Sequence, residues 1–231
     1  MYKRSKLKRI TINVLMVVLL VIGLGLIFNN QIRSYMLSQR SKQYNLTNFT
    51  QEKLEENLKK SGNFDFDSVE SISNELVLKA QFDNTELPVI GGINVPSVNI
   101  SLPILKGLDN NSLLTGAGTM KPEQVLGEGN YSLASHSTVD KSLLFSPLEY
   151  ISLNDSIYLT DLQKIYTYNV TLKEKVDPSR IEFIEDVPNR KLVTLVTCGD
   201  LAAITRLIVQ GELTKVTNFS DADYEIQSLF V

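Results

Sequence analysis

One cysteine and one histidine occur in this chain, and both residue types can transfer protons or attack carbonyl carbons near neutral pH. Cys198 ends the segment Val193-Thr-Leu-Val-Thr-Cys198, and His136 ends the segment Tyr131-Ser-Leu-Ala-Ser-His136. Both segments have strand-like composition, so each residue is predicted at a strand end. A thiol beside an imidazole can perform nucleophilic catalysis, because the imidazole can share or take the thiol proton. The alternative is a buried structural cysteine with an unrelated surface histidine.

An arginine that follows the cysteine by eight residues could join this pair. If residues 192–197 and 207–213 form neighbouring strands, Cys198 and Arg206 lie at the same edge of a sheet. A guanidinium there could donate hydrogen bonds to an oxyanion or to a substrate carbonyl. The alternative is a solvated charge at a strand start, and the spacing alone does not decide between the two.

Other kinds of site have weaker support in the sequence. Gly116-Ala-Gly118 lacks the Lys-Ser/Thr pair of a phosphate-binding loop. One histidine and one cysteine are too few soft ligands for zinc, and no metal site is predicted. The adjacent acids Glu185 and Asp186 could bind calcium or stabilise a cationic intermediate, but solvated surface charge is the commoner role of such residues.

The N-terminal segment is predicted to cross a membrane. The first nine residues include five basic ones, and residues 10–28 follow without a charge. A helix of this length measures about 28 Å, close to the hydrocarbon thickness of a bilayer. A cleaved signal peptide is the alternative, but the apolar run is long for one and no small-x-small cleavage site follows it. An uncleaved signal anchor is therefore favoured.

The basic flank also predicts the orientation of the anchor. The positive-inside rule makes residues 1–9 a cytoplasmic tail and places everything after residue 28 outside the cell. The whole chain has a net charge of −3, so without the five N-terminal positive charges the remainder carries −8. An acidic ectodomain argues against nucleic acid as a partner. A lone cysteine outside the cell cannot form an internal disulfide, so it is either buried or kept free for chemistry.

The ectodomain divides into a polar segment and a β-rich domain. Residues 29–85 have modest helical patterns, including a possible capping box at Asp67-Ser-Val-Glu70, and predict a stalk with a helical appendage, most simply a spacer. Residues 86–231 contain short strands separated by turns, which predict a closed or nearly closed β-barrel or a sandwich. The predicted strands are 98–104, 131–134, 156–160, 165–176, 192–197 and 207–213, and the predicted turns include Gly91-Gly92.

The motifs of this domain resemble those of the sortases of Gram-positive bacteria. Thr194-Leu-Val-Thr-Cys198 is similar to the TLxTC strand of that family, which has a downstream arginine and a histidine some sixty residues upstream. The similarity extends over about residues 86–214 through Leu87-Pro-Val-Ile-Gly-Gly-Ile93, Leu102-Pro-Ile104, Gly116-Ala-Gly-Thr-Met-Lys121 and Leu144-Phe-Ser-Pro147.

Within that family the chain resembles class A, the housekeeping sortases. Their anchor is N-terminal, as here, and no second apolar span follows Leu213. Class C pilin polymerases usually add a C-terminal span and an N-terminal lid with an Asp-Pro-aromatic plug. Phe64-Asp-Phe-Asp67 resembles that plug only faintly. A class C enzyme, a membrane-tethered cysteine peptidase and a non-catalytic wall-binding domain remain the alternatives.

The resemblance implies a thiol transpeptidase on an eight-stranded β-barrel. Cys198 would attack the Thr-Gly carbonyl of an LPXTG-type sorting signal and form a thioester, and His136 would protonate the departing amine. Arg206 would hold the substrate backbone and offset the oxyanion, while Ala134 and Thr197 would line the substrate groove. The acceptor would be the amine of a peptidoglycan precursor, lipid II or a cross-bridge, which joins the surface protein to the wall.

The resemblance implies no cofactor, and it makes calcium activation doubtful. The calcium-responsive members have acids at positions that fall here on Lys121, Gln124 and Glu128, of which one is acidic. The preferred variant of the sorting motif is expected to depend on residues 177–191. Four apolar residues of that loop could form the wall that binds the leucine of the motif: Ile181, Phe183, Ile184 and Val187.

Overall fold

The computed structural model describes residues 2–199 and 204–230, which form a long N-terminal helix, several short helices and a β-barrel. The helices are α1 Tyr2–Ile27, α2 Asn29–Gln43, α3 Gln51–Leu58, α4 Asn74–Phe82, α5 Asn110–Leu113 and α6 Tyr224–Gln227. The strands are β1 Val89–Val95, β2 Ile100–Leu105, β3 Ala117–Thr119, β4 Asn130–Ala134, β5 Ser156–Thr160, β6 Lys164–Val176, β7 Leu192–Cys198 and β8 Arg206–Asn218. Short 3-10 helices span Leu46–Asn48, Phe66–Ser68, Pro96–Val98, Ser146–Tyr150, Ile181–Ile184 and Phe219–Asp221.

The eight strands close into a barrel in the order β1-β2-β3-β4-β7-β8-β6-β5, and the pairing of β1 with β5 completes the ring. The pairs β2–β3 and β4–β7 are parallel and the other pairs are antiparallel. Alternate residues of each strand point inward, and apolar side chains such as Leu133, Leu195 and Val209 fill the interior. The mainly β fold with a closed eight-stranded barrel and short helices is therefore confirmed.

Two strands, β1 and β3, are not predicted by the sequence patterns. Gly91 and Gly92 are predicted as a turn, but both lie inside β1. A Cβ atom on Gly91 would approach the carbonyl oxygen of Thr160 in β5 to 2.5 Å, so the close approach of the two strands excludes a side chain there. The turn prediction is wrong because these glycines serve strand packing and not chain reversal.

Helix α1 contains the predicted membrane anchor. Its segment Lys8–Ile27 has 20 residues and a mean hydropathy of 2.8, and none of it is buried against the rest of the protein. At 1.5 Å per residue this segment is about 30 Å long, enough to span the apolar part of a bilayer. Among the described residues it is the one helix that is long and apolar enough for a membrane span.

Residues 29–85 pack against the barrel, so they are more than the predicted spacer. Leu37 and Arg40 of α2 are buried, and Leu37 belongs to an apolar cluster with residues of α4 and with Leu114. In α3, Asn57 is fully buried and donates from Nδ2 to the carbonyl oxygen of Val89 in β1 at 2.9 Å. The segment therefore covers part of the outer surface of the barrel.

The helix predicted from the possible capping box begins later than expected. Helix α4 starts after Ser73, whose hydroxyl accepts a hydrogen bond from the backbone N–H of Leu76 at 3.0 Å. Asp67 lies instead in a 3-10 helix, and the backbone N–H of Glu70 donates to Asn110 Oδ1 at 2.9 Å. A tertiary hydrogen bond thus takes the place of the predicted helix start.

Candidate active site

The barrel brings Cys198, His136 and Arg206 to one edge of the sheet. Cys198 at the end of β7 pairs directly with Arg206 at the start of β8. Strand β4 runs parallel to β7 on the other side, with Ala134 opposite Val196. Because His136 and Cys198 each follow that pair by two residues, they emerge from neighbouring strand ends on the same side. The predicted adjacency of Cys198 and Arg206 is confirmed, and the roles of the three residues stay predictions.

The three residues line a groove with a volume of about 460 Å³ on the outer surface of the barrel. Cys198 is a free thiol of intermediate exposure, so a ligand in the groove can reach it. Apolar side chains of the barrel and its connections form much of the groove surface: Leu108, Leu113, Met120, Val176, Val196 and Ile208. An apolar cleft with a few convergent polar groups is typical of a binding site.

His136 is held in its neutral form by burial. The residue is 8% exposed, and its Nε2 atom has no hydrogen-bond partner among the described residues. Desolvation lowers the pKa of His136 from 6.5 to about 4, because the imidazolium form would lose its hydration. The backbone carbonyl of His136 accepts from the N–H of Phe145 at 3.1 Å, which fixes the chain at this point. At neutral pH the imidazole is therefore a proton acceptor.

Arg206 is linked through the backbone to the residue that follows the cysteine. Its Nη1 atom donates to the carbonyl oxygen of Thr205 at 3.2 Å, and the backbone N–H of Gly199 donates to the same carbonyl at 2.9 Å. The connection between these residues, 200–203, lies outside the described residues. The shared carbonyl holds the start of β8 against the end of β7, so a permanent positive charge stays close to Cys198.

Ala134 and Thr197 also line the groove, as the resemblance implies. Ala134 lies in β4 two residues before His136 and is partly buried. Thr197 is buried, and its Oγ1 atom has no hydrogen-bond partner in the part of the chain described. Their contacts with a substrate stay predictions.

Two of the four apolar residues suggested for the wall in the loop 177–191 line the groove, and their contact with the leucine of the motif stays a prediction. Ile181 and Ile184 line the groove, on one side of it. Phe183 and Val187 do not line the groove. Phe183 packs, like Ile184, against an apolar cluster on the outer surface of the barrel, and Val187 lies beyond the 3-10 helix of the loop. A 3-10 helix turns successive side chains in different directions, so four apolar residues in one loop do not all face the same cleft.

Three groove residues come from the N-terminal segment and are missed by the sequence analysis. Phe66, Asp67 and Val69 contribute to the groove from the 3-10 helix that precedes α4. The available signal is Phe64-Asp-Phe-Asp67, which resembles the class C plug only faintly. The segment between the anchor and the barrel therefore forms part of the site.

A lysine supplies positive charge near the positions that correspond to calcium ligands. Lys121 Nζ forms an ion pair with Asp186 at 2.6 Å, and Asp186 also accepts from the backbone N–H of Asn130 at 2.9 Å. The hydrogen bond from Lys121 lowers the pKa of Asp186. Within residues 2–199 and 204–230, no group of three or more His, Cys, Asp or Glu side chains is placed to hold a metal ion.

Comparison with known proteins agrees with this geometry. Residues 93–214 match the model of the Sortase domain. The chain belongs to the sortase family. Sortase A of Streptococcus agalactiae serotype III is 45% identical over 221 residues, which cover 94% of this chain and 90% of the relative. Sortase A of Listeria monocytogenes is 36% identical over 200 residues, which cover 86% of this chain and 90% of the relative.

Solved structures share the fold of this sortase. The crystal structure of Listeria monocytogenes sortase A is 37% identical with a TM-score of 0.57, covering 62% of this chain and 96% of the other. Sortase C-3 of Streptococcus pneumoniae has a TM-score of 0.62 at 20% identity, covering 86% of this chain and 100% of the other. At that identity the likeness shows the fold alone.

The relatives confirm the predicted class and activity. Similarity to sortase A proteins over most of the chain assigns this sortase to class A, in preference to class C and to a non-catalytic wall-binding domain. It is a cysteine transpeptidase that cleaves LPXTG-type sorting signals of surface proteins.

Proposed function

We propose that Cys198, His136 and Arg206 are the catalytic residues of this transpeptidase. One observation supports the proposal: the three residues meet at one edge of the sheet. Cys198 pairs there with Arg206, and His136 follows the neighbouring parallel strand β4. The groove beside them has space for an extended peptide and an apolar surface for its side chains.

In the first half of the reaction, the sulfur of Cys198 attacks the carbonyl carbon of the Thr-Gly bond. The thiol proton passes to His136, and the C–N bond breaks as the thioester forms. His136 gives its proton to the departing glycine amine and returns to the neutral form. Because burial lowers the pKa of His136 to about 4, its imidazolium is a strong acid toward that amine.

In the second half, an acceptor amine attacks the thioester carbonyl. His136 takes a proton from the amine, and the C–S bond breaks as the new amide forms. The departing Cys198 sulfur then takes that proton from His136. Arg206 donates hydrogen bonds to the carbonyl oxygen while it carries negative charge in both halves. Thiol, imidazole and guanidinium therefore return to their starting states after one transfer.

The sorting signal is proposed to lie in the groove with its leucine against Ile181 and Ile184. Ala134 and Thr197 flank the reacting residues, and the Thr197 hydroxyl can donate to the substrate backbone. This donation is favourable because the buried Oγ1 atom has no partner among the described residues.

The acceptor is proposed to be the amine of lipid II or of a peptidoglycan cross-bridge. The protein would be a single-pass protein of the cell membrane, with residues 1–9 in the cytoplasm, residues 10–28 in the bilayer and residues 86–231 as the catalytic domain outside. The basic residues before the apolar helix support this orientation. External protease should digest the barrel on intact cells, whereas protection of the barrel would overturn the orientation.

Mass spectrometry of the full chain with an LPXTG peptide tests the catalytic assignment. In detergent, we expect an acyl adduct on Cys198 that is absent from the Cys198→Ala variant, which should keep its fold. An added glycyl amine should divert the product from hydrolysis to amide formation. Turnover by Cys198→Ala would contradict the proposed nucleophile, and a product that does not respond to the amine would contradict the proposed acceptor chemistry.

A further inference from the structure

Three polar side chains are buried on the strands that lead to the catalytic residues, four to six residues away from them along the chain. Asn130 in β4, Thr194 in β7 and Gln210 in β8 are 1%, 0% and 9% exposed. Thr194 and Gln210 are direct partners across the β7–β8 pair, and both point to the outer face of the barrel that also carries Cys198. Buried polar groups are costly unless they are hydrogen-bonded, and the proposed reaction uses none of these three.

The three side chains form a closed set of hydrogen bonds around one carbonyl oxygen of the loop 177–191. Phe183 O accepts from Asn130 Nδ2 at 2.8 Å and from Gln210 Nε2 at 3.0 Å, and Thr194 Oγ1 lies 3.2 Å from the same oxygen. The second protons of these amides go to Glu185 O at 3.0 Å and to Thr194 Oγ1 at 3.1 Å. The Thr194 hydroxyl donates to Asn130 Oδ1 at 2.7 Å.

Strand β4 holds the neighbouring loop residues as well. Ser132 Oγ lies 3.2 Å from the carbonyl oxygen of Ile184, and the backbone N–H of Asn130 donates to Asp186 Oδ1 at 2.9 Å. Four successive loop residues, 183–186, therefore contact the barrel through hydrogen bonds. A fully satisfied buried network of this kind fixes the geometry of the groups that it joins.

This network lies directly below the groove wall. Phe183 and Ile184 belong to the 3-10 helix Ile181–Ile184, whose side chains at Ile181 and Ile184 line the groove. Thr194 precedes Cys198 by four residues on the same strand, which corresponds to about 13 Å. Strand β7 thus carries both Thr194, which belongs to the network that holds the wall, and the nucleophile Cys198.

We propose that Asn130, Thr194 and Gln210 are positioning residues that hold the wall of the groove at a set distance from Cys198. The proposal rests on the proposed function, because it assumes that the wall binds the apolar side chain of the sorting signal. The wall is then formed before substrate binds, and the network determines how well the enzyme selects its peptide.

The Thr194→Val variant tests this proposal, because it removes the hydroxyl and keeps the shape. Asn130 Oδ1 and one proton of the Gln210 amide then lose their partner, so the network opens and the loop is released. In the full chain in detergent, we expect KM for an LPXTG peptide to rise about tenfold, with kcat within about twofold of wild type. Thr194→Ser keeps the hydroxyl and should restore KM.

Trypsin cleavage gives a readout that does not depend on activity. Arg180 directly precedes the 3-10 helix Ile181–Ile184 and is exposed. Release of the loop should therefore speed cleavage after Arg180 about tenfold relative to cleavage elsewhere in the chain. Thr160→Val is the matched control, since Thr160 is equally buried and its hydroxyl donates to the carbonyl of Lys164 at 2.7 Å, away from the groove. Both readouts should stay at wild-type values in that control.

The possible results separate this proposal from the proposed function. Wild-type KM and wild-type cleavage after Arg180 in folded Thr194→Val would overturn the proposal, and so would a fall in kcat at unchanged KM. If Thr194→Val does not fold, Gln210→Met removes one of the two amide hydrogen bonds to Phe183 O, and its cleavage after Arg180 and KM should rise about threefold. Absence of an acyl adduct on wild-type Cys198 would overturn the proposed function, while the cleavage measurement would still decide the role of the network.

Discussion

His136 is the residue whose burial most strongly affects proton transfer in the site. Its pKa of about 4 keeps the ring uncharged in the free enzyme, although the proposed reaction requires the ring to hold a proton for part of each turnover. In the proposed reaction, His136 therefore receives its proton from the Cys198 thiol, at the time when the sulfur attacks the substrate. A neutral base beside the thiol differs from a permanent ion pair, because the charge is created during the chemical step.

This burial predicts a pH dependence of stability. The unfolded chain takes up a proton at His136 near pH 6.5, whereas the folded chain resists it down to about pH 4. The free energy of unfolding should therefore fall as the pH drops through this window, by an amount on the order of 3 kcal/mol from this residue. Denaturant titrations of the full chain in detergent should show a smaller fall in His136→Asn, because the variant lacks the titrating group. Parallel curves for the two proteins between pH 7 and pH 4 would contradict the burial argument.

The shape of the Arg206 guanidinium, and not its charge alone, is expected to matter for the reaction. Arg206→Lys keeps a positive charge but loses the planar arrangement of donors, so kcat/KM for an LPXTG peptide should fall about 100-fold. The rate at which a small alkylating reagent modifies Cys198 should change little, since the thiol stays in place. Arg190→Lys is the matched control, because Arg190 pairs with Glu212 at the opposite end of these strands. Equal activity of Arg206→Lys and wild type would show that charge is sufficient.

For single residues, the sequence predicts which side chains can do chemistry, but not the surrounding side chains that position them. Cys198 and His136 are identifiable because each occurs once and follows a strand-like segment. The network of Asn130, Thr194 and Gln210 is not identifiable, since its members lie on three strands and meet only in the folded barrel. Local patterns contain no information about such contacts between distant segments.

Among the elements, the pairing of β1 with β5 determines whether the barrel closes. The strands β7 and β8 are predicted well because their apolar residues alternate regularly, as in a half-buried sheet. Strand β1 is missed because its glycines have no side chain to show an alternation, although Gly91 is needed where β1 meets β5. A glycine pair therefore has two opposite meanings, a turn or a close strand contact, which the sequence alone does not separate.

The close contact of β1 with β5 predicts that Gly91→Ala destabilises the protein. The new Cβ atom would lie 2.5 Å from the carbonyl oxygen of Thr160, which belongs to the backbone and cannot rotate away. The free energy of unfolding should fall by about 2 kcal/mol. Gly92→Ala is a suitable control, since its Cβ atom would meet the flexible side chain of Leu46 at 3.0 Å. Denaturant midpoints of the two variants should differ clearly, and equal midpoints would show that the strands can separate without cost.

At the scale of the whole molecule, the anchor and the barrel are joined by helix α2, which packs onto the folded domain. Arg40 donates from Nε to Thr115 Oγ1 at 2.9 Å and from Nη1 to the carbonyl of Ala80, so it links α2 to α4 and to the chain before β3. Burial lowers the pKa of Arg40, which indicates how far its guanidinium is removed from water. The predicted boundary at residue 86 lies between α4 and the first strand of the barrel, and it stays a prediction as a domain boundary.

This packing predicts where the chain can be shortened without loss of stability. A chain that starts at residue 29 lacks only α1, which is not buried against the rest of the protein, and it should unfold at the same denaturant concentration as the full chain. A chain that starts at residue 44 also lacks α2 and should be less stable by about 2–4 kcal/mol, because it loses the burial of Leu37 and the hydrogen bonds of Arg40. The apolar cluster of α4 and Leu114 would then be exposed, so the shorter chain should also bind a hydrophobic dye. Equal midpoints for the two shortened chains would show that α2 is only a tether, whereas the expected difference would make it part of the folded enzyme.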